Sequence, residues 1–212
     1  PNYFTLEWLA EEIFKTTQEA NARVKIVVFR DASGYYTPST NQVSFVIEAI
    51  SLLNDKYSFS DSSTYEVELF KDYYITANLL STIKSTNKQV QVLAAVFAKE
   101  NDFQNCFLLN EHKNIAEAIN GNIFMSKNKE LVTPPLSDGA INGIIRKQLL
   151  QKKEINGVKI IEKSISTFDL QIADEVFITN TIQGVISVNK YRKKEFTTQL
   201  APIVVDYLNT LI

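Results

Sequence analysis

Residues 108–124 read LLNEHKNIAEAINGNIF. Two apolar stretches, LLN and NIAEAI, flank a polar turn, and a third apolar run follows a glycine. Short β-rich runs separated by polar turns read as strands. The odd residue is Glu117, in the middle of IAEAI. A carboxylate in an apolar strand belongs either on a solvated edge strand or in the interior with a partner, because burying an unpaired charge is costly. The pattern alone leaves both readings open.

Working outward, NCFLLN (105–110), GNIFMSK (121–127) and ELVTPPL (130–136) are further strand candidates. Upstream, YEVELF (65–70) alternates as a strand and NKQVQVLAAVFAKEN (87–101) reads as a helix. Downstream, GAINGIIRKQLLQKK (139–153) opens with two glycines and becomes helical. A strand over 157–165, a short helix capped by Ser166, two strands about a turn in EVFITNTIQGVISV (175–188) and a last helix over 197–212 complete this half. At the start, Leu6, Leu9, Ile13 and Phe14 have helical spacing behind Thr5 as N-cap. RVKIVVFR (23–30) and VSFVIEAI (43–50) read as strands about a loop. The polar stretch 54–64 loses all periodicity and marks a linker. The expectation is an α+β protein with a small domain over 1–58, a linker over 59–64 and a large domain over 65–212.

Composition excludes several classes. The chain has 212 residues, is 45% hydrophobic and 22% charged, and carries a net charge of −2 with both signs dispersed. That offers no electrostatic footprint for nucleic acid or an anionic membrane. The longest apolar runs are too short to span a bilayer. One cysteine, Cys106, forms no internal disulfide and fits a reducing, cytoplasmic setting. Thiol catalysis by Cys106 would need a base, and His112 is the one histidine in the chain. No metal site is expected.

Three local features carry chemistry. Lys84, in LLSTIKSTNKQV (79–90), stands where neither a solvated helix face nor strand alternation explains it. Glu117 is the second. The third is DGAINGIIR (138–146), a glycine-bearing turn into a helix, whose free N–H groups can hold an anion. It is neither a Walker motif nor a dinucleotide fingerprint. Read singly, these are a surface lysine, an edge-strand glutamate and an ordinary helix start. Read together, they are an amine, an acid and a phosphate cradle, the parts that a pyridoxal 5'-phosphate (PLP) site requires.

LLNEHKNIAEAINGNIF, TPPLSDGAINGIIR (133–146) and ADEVFITNTIQGVISV (173–188) resemble the successive signatures of the class IV aminotransferases, the fold-type IV PLP enzymes. That group includes branched-chain and D-amino-acid aminotransferases and 4-amino-4-deoxychorismate lyases. The resemblance covers most of the chain after Tyr65. It implies that Lys84, in KSTN, is the Schiff-base lysine and proton shuttle, with Asn87 structural. It implies that Glu117 pairs with the cofactor's ring nitrogen, that Ile141 packs on the ring, and that the backbone of Ile144 and Ile145 and the hydroxyl of Thr181 hold the phosphate.

Aminotransferase members often read GITR where this chain reads GIIR, so Ile145 lacks a hydroxyl; lyase-type members more often carry an apolar residue there. Arg23 and Lys25 share one face of the early strand, and the resemblance makes one of them a cation for the substrate carboxylate, Arg23 on the aminotransferase pattern and Lys25 on the lyase pattern. It further implies a homodimer acting on a small amino acid or keto acid, and an additional N-terminal piece with a phosphate-binding arginine. The expected activity is amino-group transfer, with aminodeoxychorismate lysis to pyruvate and p-aminobenzoate as the alternative. A folded remnant without PLP is the non-enzymatic reading.

Overall fold

The computed structural model describes residues 4–19, 21–59 and 64–212. Of the expected linker, residues 60–63 lie outside the described residues. The chain divides into two compact units, 1–55 and 56–212.

The first unit holds helix α1 (Leu6–Thr16) and strands β1 (Ala22–Arg30) and β2 (Val43–Ser51). Thr5 caps α1 as its pattern predicts, accepting the Trp8 N–H at 3.1 Å. β1 and β2 pair antiparallel from Ala22–Ser51 to Arg30–Val43. Trp8 stands edge-on to Phe45, 4.7 Å between centroids, and tacks the helix to the sheet.

The second unit runs β3 (Glu66–Ile75), a 3-10 turn (Leu79–Thr82), α2 (Gln89–Glu100), β4 (Asn105–Asn110), β5 (Asn114–Ala118), β6 (Asn122–Lys127) and β7 (Glu130–Thr133). Then come α3 (Ile144–Lys152), β8 (Glu154–Ile155), β9 (Val158–Glu162), β10 (Ile165–Ser166), α4 (Asp169–Ile172), β11 (Glu175–Asn180), β12 (Gly184–Val188), β13 (Lys190–Tyr191), β14 (Lys194–Glu195) and α5 (Leu200–Asn209). They build two six-stranded sheets, ordered β10-β5-β4-β3-β13-β14 and β12-β11-β6-β7-β9-β8. Tyr57 already belongs to this unit: its amide donates to Asn209 Oδ1 at 2.9 Å and its ring lies against Gly184.

Side-chain alternation explains the layering. Phe107, Leu109, Ile123, Met125, Val176 and Ile178 point between the sheets and form one core. Their neighbours point outward. Cys106 and Leu108 meet α2 through Ala94 and Ala98. Phe124 and Phe177 meet α3 and α5 through Leu149, Val204 and Leu208. Strands covered on both faces become the near-continuous apolar runs seen in the sequence. Among the described residues, no helix is long and apolar enough to cross a membrane.

One irregularity matters for the site. Leu108 pairs with Glu117 but Leu109 pairs with Ile115, so β5 carries one extra residue. Ile115 and Ala118, three apart, consequently share the inter-sheet core while Ala116 joins the α2 side. Such bulges re-aim side chains, and here the residue beside the bulge is Glu117.

Candidate active site

The 3-10 turn brings the chain out of β3 and sets Lys84 at its end. Asn78 caps the turn, accepting the Leu80 and Ser81 amides at 2.8 and 3.2 Å. Residues 83–88 then cross to the start of α2. Thr82 O accepts the Asn142 N–H at 3.1 Å, which ties this segment to the loop before α3.

A cavity of about 440 Å³ opens between these segments. Lys84, Glu117, Ile141, Ile144, Ile145 and Thr181 all line it. They come from four separate stretches of chain. Arg23 and Lys25 belong to the first unit, on β1, where both are exposed. Lys25 Nζ donates there to Glu48 Oε2 at 3.3 Å. Asn87 is exposed and lines a neighbouring cavity of about 500 Å³ against the first turn of α2.

Glu117 is buried, 3% exposed, and is not a solvated edge-strand residue. Its Oε2 accepts the Ile141 N–H at 2.9 Å and its Oε1 accepts from Gln91 Nε2 at 2.9 Å. Among the described residues it has no ion pair within 4 Å. Burial raises its pKa above the ordinary glutamate value. The Ile141 and Gln91 donors, then the Lys88 and Lys84 cations, pull it part of the way back. Lys88, also on the cavity wall, has its ammonium pKa lowered, chiefly by desolvation, with Glu117 opposing and Lys84 adding to the shift. The cavity therefore holds a buried carboxyl group without an ion-pair partner among the described residues, beside two amines.

The opposite wall is the start of α3. Gly143 is the N-cap and contributes no side chain, so among the described residues the helix start has no side-chain cap. A helix begun this way offers free N–H groups and the positive end of its dipole. Close approach is built in: a Cβ on Gly143 would stand 2.1 Å from Asn122 Oδ1, and one on Gly121 would stand 2.6 Å from Thr179 O. The Ile145 side chain is buried in the core under α3; the Ile144 side chain is exposed. Thr179 Oγ1 is buried and has no hydrogen-bond partner among the described residues, and its residue lines the same cavity.

Among the cavity residues that the sequence reading does not single out are Lys88, Gln91, Asn122 and Thr179. Thr179 had a signal, since it sits two before Thr181, the spacing that puts alternate strand residues on one face. Asn122 Nδ2 donates to Ile141 O at 2.8 Å, so it holds the same residue whose amide binds Glu117. Chemically, the arrangement offers an amine, an acid able to balance a cation, and backbone donors for an anion.

A sequence model of the amino-transferase class IV family matches residues 1–191. The chain is 34% identical over 106 residues to a D-alanine aminotransferase of Bacillus licheniformis, covering 50% of this chain and 37% of that protein. It is 29% identical over 111 residues to an aminodeoxychorismate lyase of Vibrio harveyi, covering 52% and 41%. The matched stretches thus span well under half of these relatives. In structure it resembles the PLP form of a branched-chain amino acid aminotransferase from Thermobaculum terrenum, with TM-score 0.83 and 15% identity, over 100% of this chain and 72% of that one. The paired six-stranded sheets are accordingly those of fold-type IV, and the chain belongs to the class IV aminotransferase family.

Proposed function

We propose that this chain carries the PLP site of an enzyme that moves an amino group between an amino acid and a 2-keto acid. What supports the reading most is the convergence of Lys84, buried Glu117 and the uncapped start of α3 on one cavity. The residues present fit the group. Glu117 would hold the ring nitrogen, whose positive charge would be the partner that its buried carboxylate lacks. The amides of Ile144 and Ile145, with the hydroxyls of Thr179 and Thr181, would hold the phosphate, and Ile141 would cover one ring face. Thr179 Oγ1, buried without a partner among the described residues, is a donor awaiting such an acceptor.

PLP, when bound, supplies an aldehyde for amines and a ring that withdraws electrons from the substrate Cα. The protein's own work is positioning and proton transfer. Lys84 Nζ takes the Cα proton and returns it elsewhere. Glu117, held anionic, keeps a proton on the atom facing it. Desolvation around Glu117 strengthens that charge interaction. The proposed cation for the substrate carboxylate is Arg23 on the aminotransferase pattern and Lys25 on the lyase pattern, and the proposed assembly is a homodimer.

The lyase reading has one specific support. Ile145 carries no hydroxyl at the start of α3, the pattern more often met in lyase-type members. Substrate chemistry separates the two. Given an L-branched amino acid or D-alanine and no acceptor, a transaminase releases one equivalent of keto acid per site and stops. A lyase releases pyruvate and p-aminobenzoate from aminodeoxychorismate continuously. PLP absorbance that is absent from wild type, or unchanged in Lys84→Ala, would overturn both readings and leave a folded remnant.

A further inference from the structure

We propose that Gln91 is a positioning residue for Glu117: its side-chain amide fixes the orientation of the carboxylate and holds it as an anion toward the cavity. The inference rests on reading the cavity as a PLP site, and it concerns a residue from outside the three signature segments.

Gln91 stands in the first turn of α2 and reaches across to β5. Its Nε2 meets one oxygen of Glu117 at 2.9 Å and the Ile141 amide meets the other at 2.9 Å. One donor on each oxygen sets the plane of the carboxylate, and its remaining lone pairs stay free. The chemistry of the donor matters. A lysine at position 91 would form a buried ion pair and cancel the field of Glu117 inside the cavity. A neutral amide orients the anion and favours its charged form while leaving the charge available to a cationic ligand atom. The other titratable groups among the described cavity residues are Lys84 and Lys88, and neither is within ion-pairing distance of Glu117. Gln91 is therefore the one side chain among the described residues that hydrogen-bonds this carboxylate.

The test is a double-mutant cycle on the full chain. PLP is titrated into wild type, Gln91→Leu, Glu117→Gln and the double variant between pH 6 and 9, following absorbance and tryptophan fluorescence. Leu suits a helical position, and Gln91→Met serves as a second variant should Leu disturb packing. Melting of the PLP-free proteins checks the fold. Gln91→Leu is expected to weaken PLP binding by about tenfold, the scale of a hydrogen bond to a charged group. The loss should grow as pH falls, because Glu117 without Gln91 takes up a proton at higher pH. In the Glu117→Gln background the same change should add nothing. Equal binding by wild type and both position-91 variants at every pH would overturn the inference alone, as would an undiminished effect without Glu117. No Lys84-dependent PLP uptake by wild type would overturn the reading of the cavity, and this inference with it.

Discussion

Ile141 donates its backbone N–H to Glu117 Oε2 at 2.9 Å, across 24 residues of chain. The bond ties the acid of β5 to the loop that leads into α3, so the two walls of the cavity share one support. Asn122 extends it by donating to Ile141 O. A short polar chain thus links the acid to the loop before α3, in addition to the core contacts that hold β5 and α3.

Glu117→Gln should separate stability from function. Burial raises the carboxyl pKa, so the folded protein without PLP holds this proton more tightly than the unfolded chain does. The stability this gives is complete below the ordinary glutamate range and is lost as pH rises through the raised value. Wild type should therefore melt progressively lower relative to Glu117→Gln as pH climbs from 4 to 8. Under the proposed function, the same variant should lose about 10²-fold in kcat, on the scale of removing one preorganised electrostatic partner. Melting curves of the PLP-free proteins and steady-state rates check the two halves independently.

Glu175 should prove essential to the C-terminal helix. Its carboxylate accepts the N–H groups of Gln199, Leu200 and Ala201 at 2.9, 2.7 and 2.8 Å, and its residue is 2% exposed. An anion at the start of α5 meets both the free amides and the positive dipole end. Glu175→Ala strands three donors at about 1 kcal/mol each. A loss of about 3 kcal/mol and roughly 6–12 °C in melting temperature is expected for a unit of this size. Glu175→Gln, which keeps one acceptor, should fall between. A shift under 2 °C for Glu175→Ala would refute the capping role.

Some of this was legible in the sequence and some was not, for a physical reason. Lys84, Glu117 and the GIIR helix start lie in short local stretches that stand out from their surroundings. Singly, each reads as an ordinary surface or helix-start feature, and only their combination and the family resemblance suggest a site. Thr5 capping α1 is legible from its local pattern alone. Gln91 and Glu175 have no local signature. Gln91 reads as one more polar position in QVQV, and its partner is 26 residues away. Glu175 reads as the polar start of a strand, and its partners lie 24 to 26 residues on. The extra residue in β5 is likewise invisible, since IAEAI alternates plausibly in either register. Tyr57 falls in the polar stretch 54–64, where no periodicity places it, and its contacts are with Asn209 and Gly184.

Cys106 should be inert in the native protein. Burial pushes its thiol up to about 11, with the backbone of Glu68 opposing and the Glu68 charge adding to the rise. Thiolate is the reactive form, and the side chain is sealed between β4 and α2. At pH 8 an aromatic disulfide reagent should label it at least about 10²-fold more slowly than a free cysteine, given the small thiolate fraction and the lack of access. Labelling should become rapid only in denaturant. Prompt labelling of the folded protein would show that the α2 face opens readily.

Gly143→Ala tests the cradle itself. Gly143 has an ordinary φ of −67°, so alanine meets no backbone strain there. What it meets is Asn122 Oδ1, 2.1 Å from the new Cβ. Asn122 must then rotate or α3 must shift, and either loosens the Asn122–Ile141 bond that supports Glu117. Stability should change by only about 1 kcal/mol, because the helix keeps its core contacts through Ile145 and Leu149. PLP binding, under the proposed function, should fall by tenfold or more, the scale of one lost charge-assisted hydrogen bond. Adding Asn122→Ala, which removes the clashing oxygen, should restore the space but not the bond, so affinity should recover only in part. Full recovery would show that the collision matters and the Asn122–Ile141 link does not.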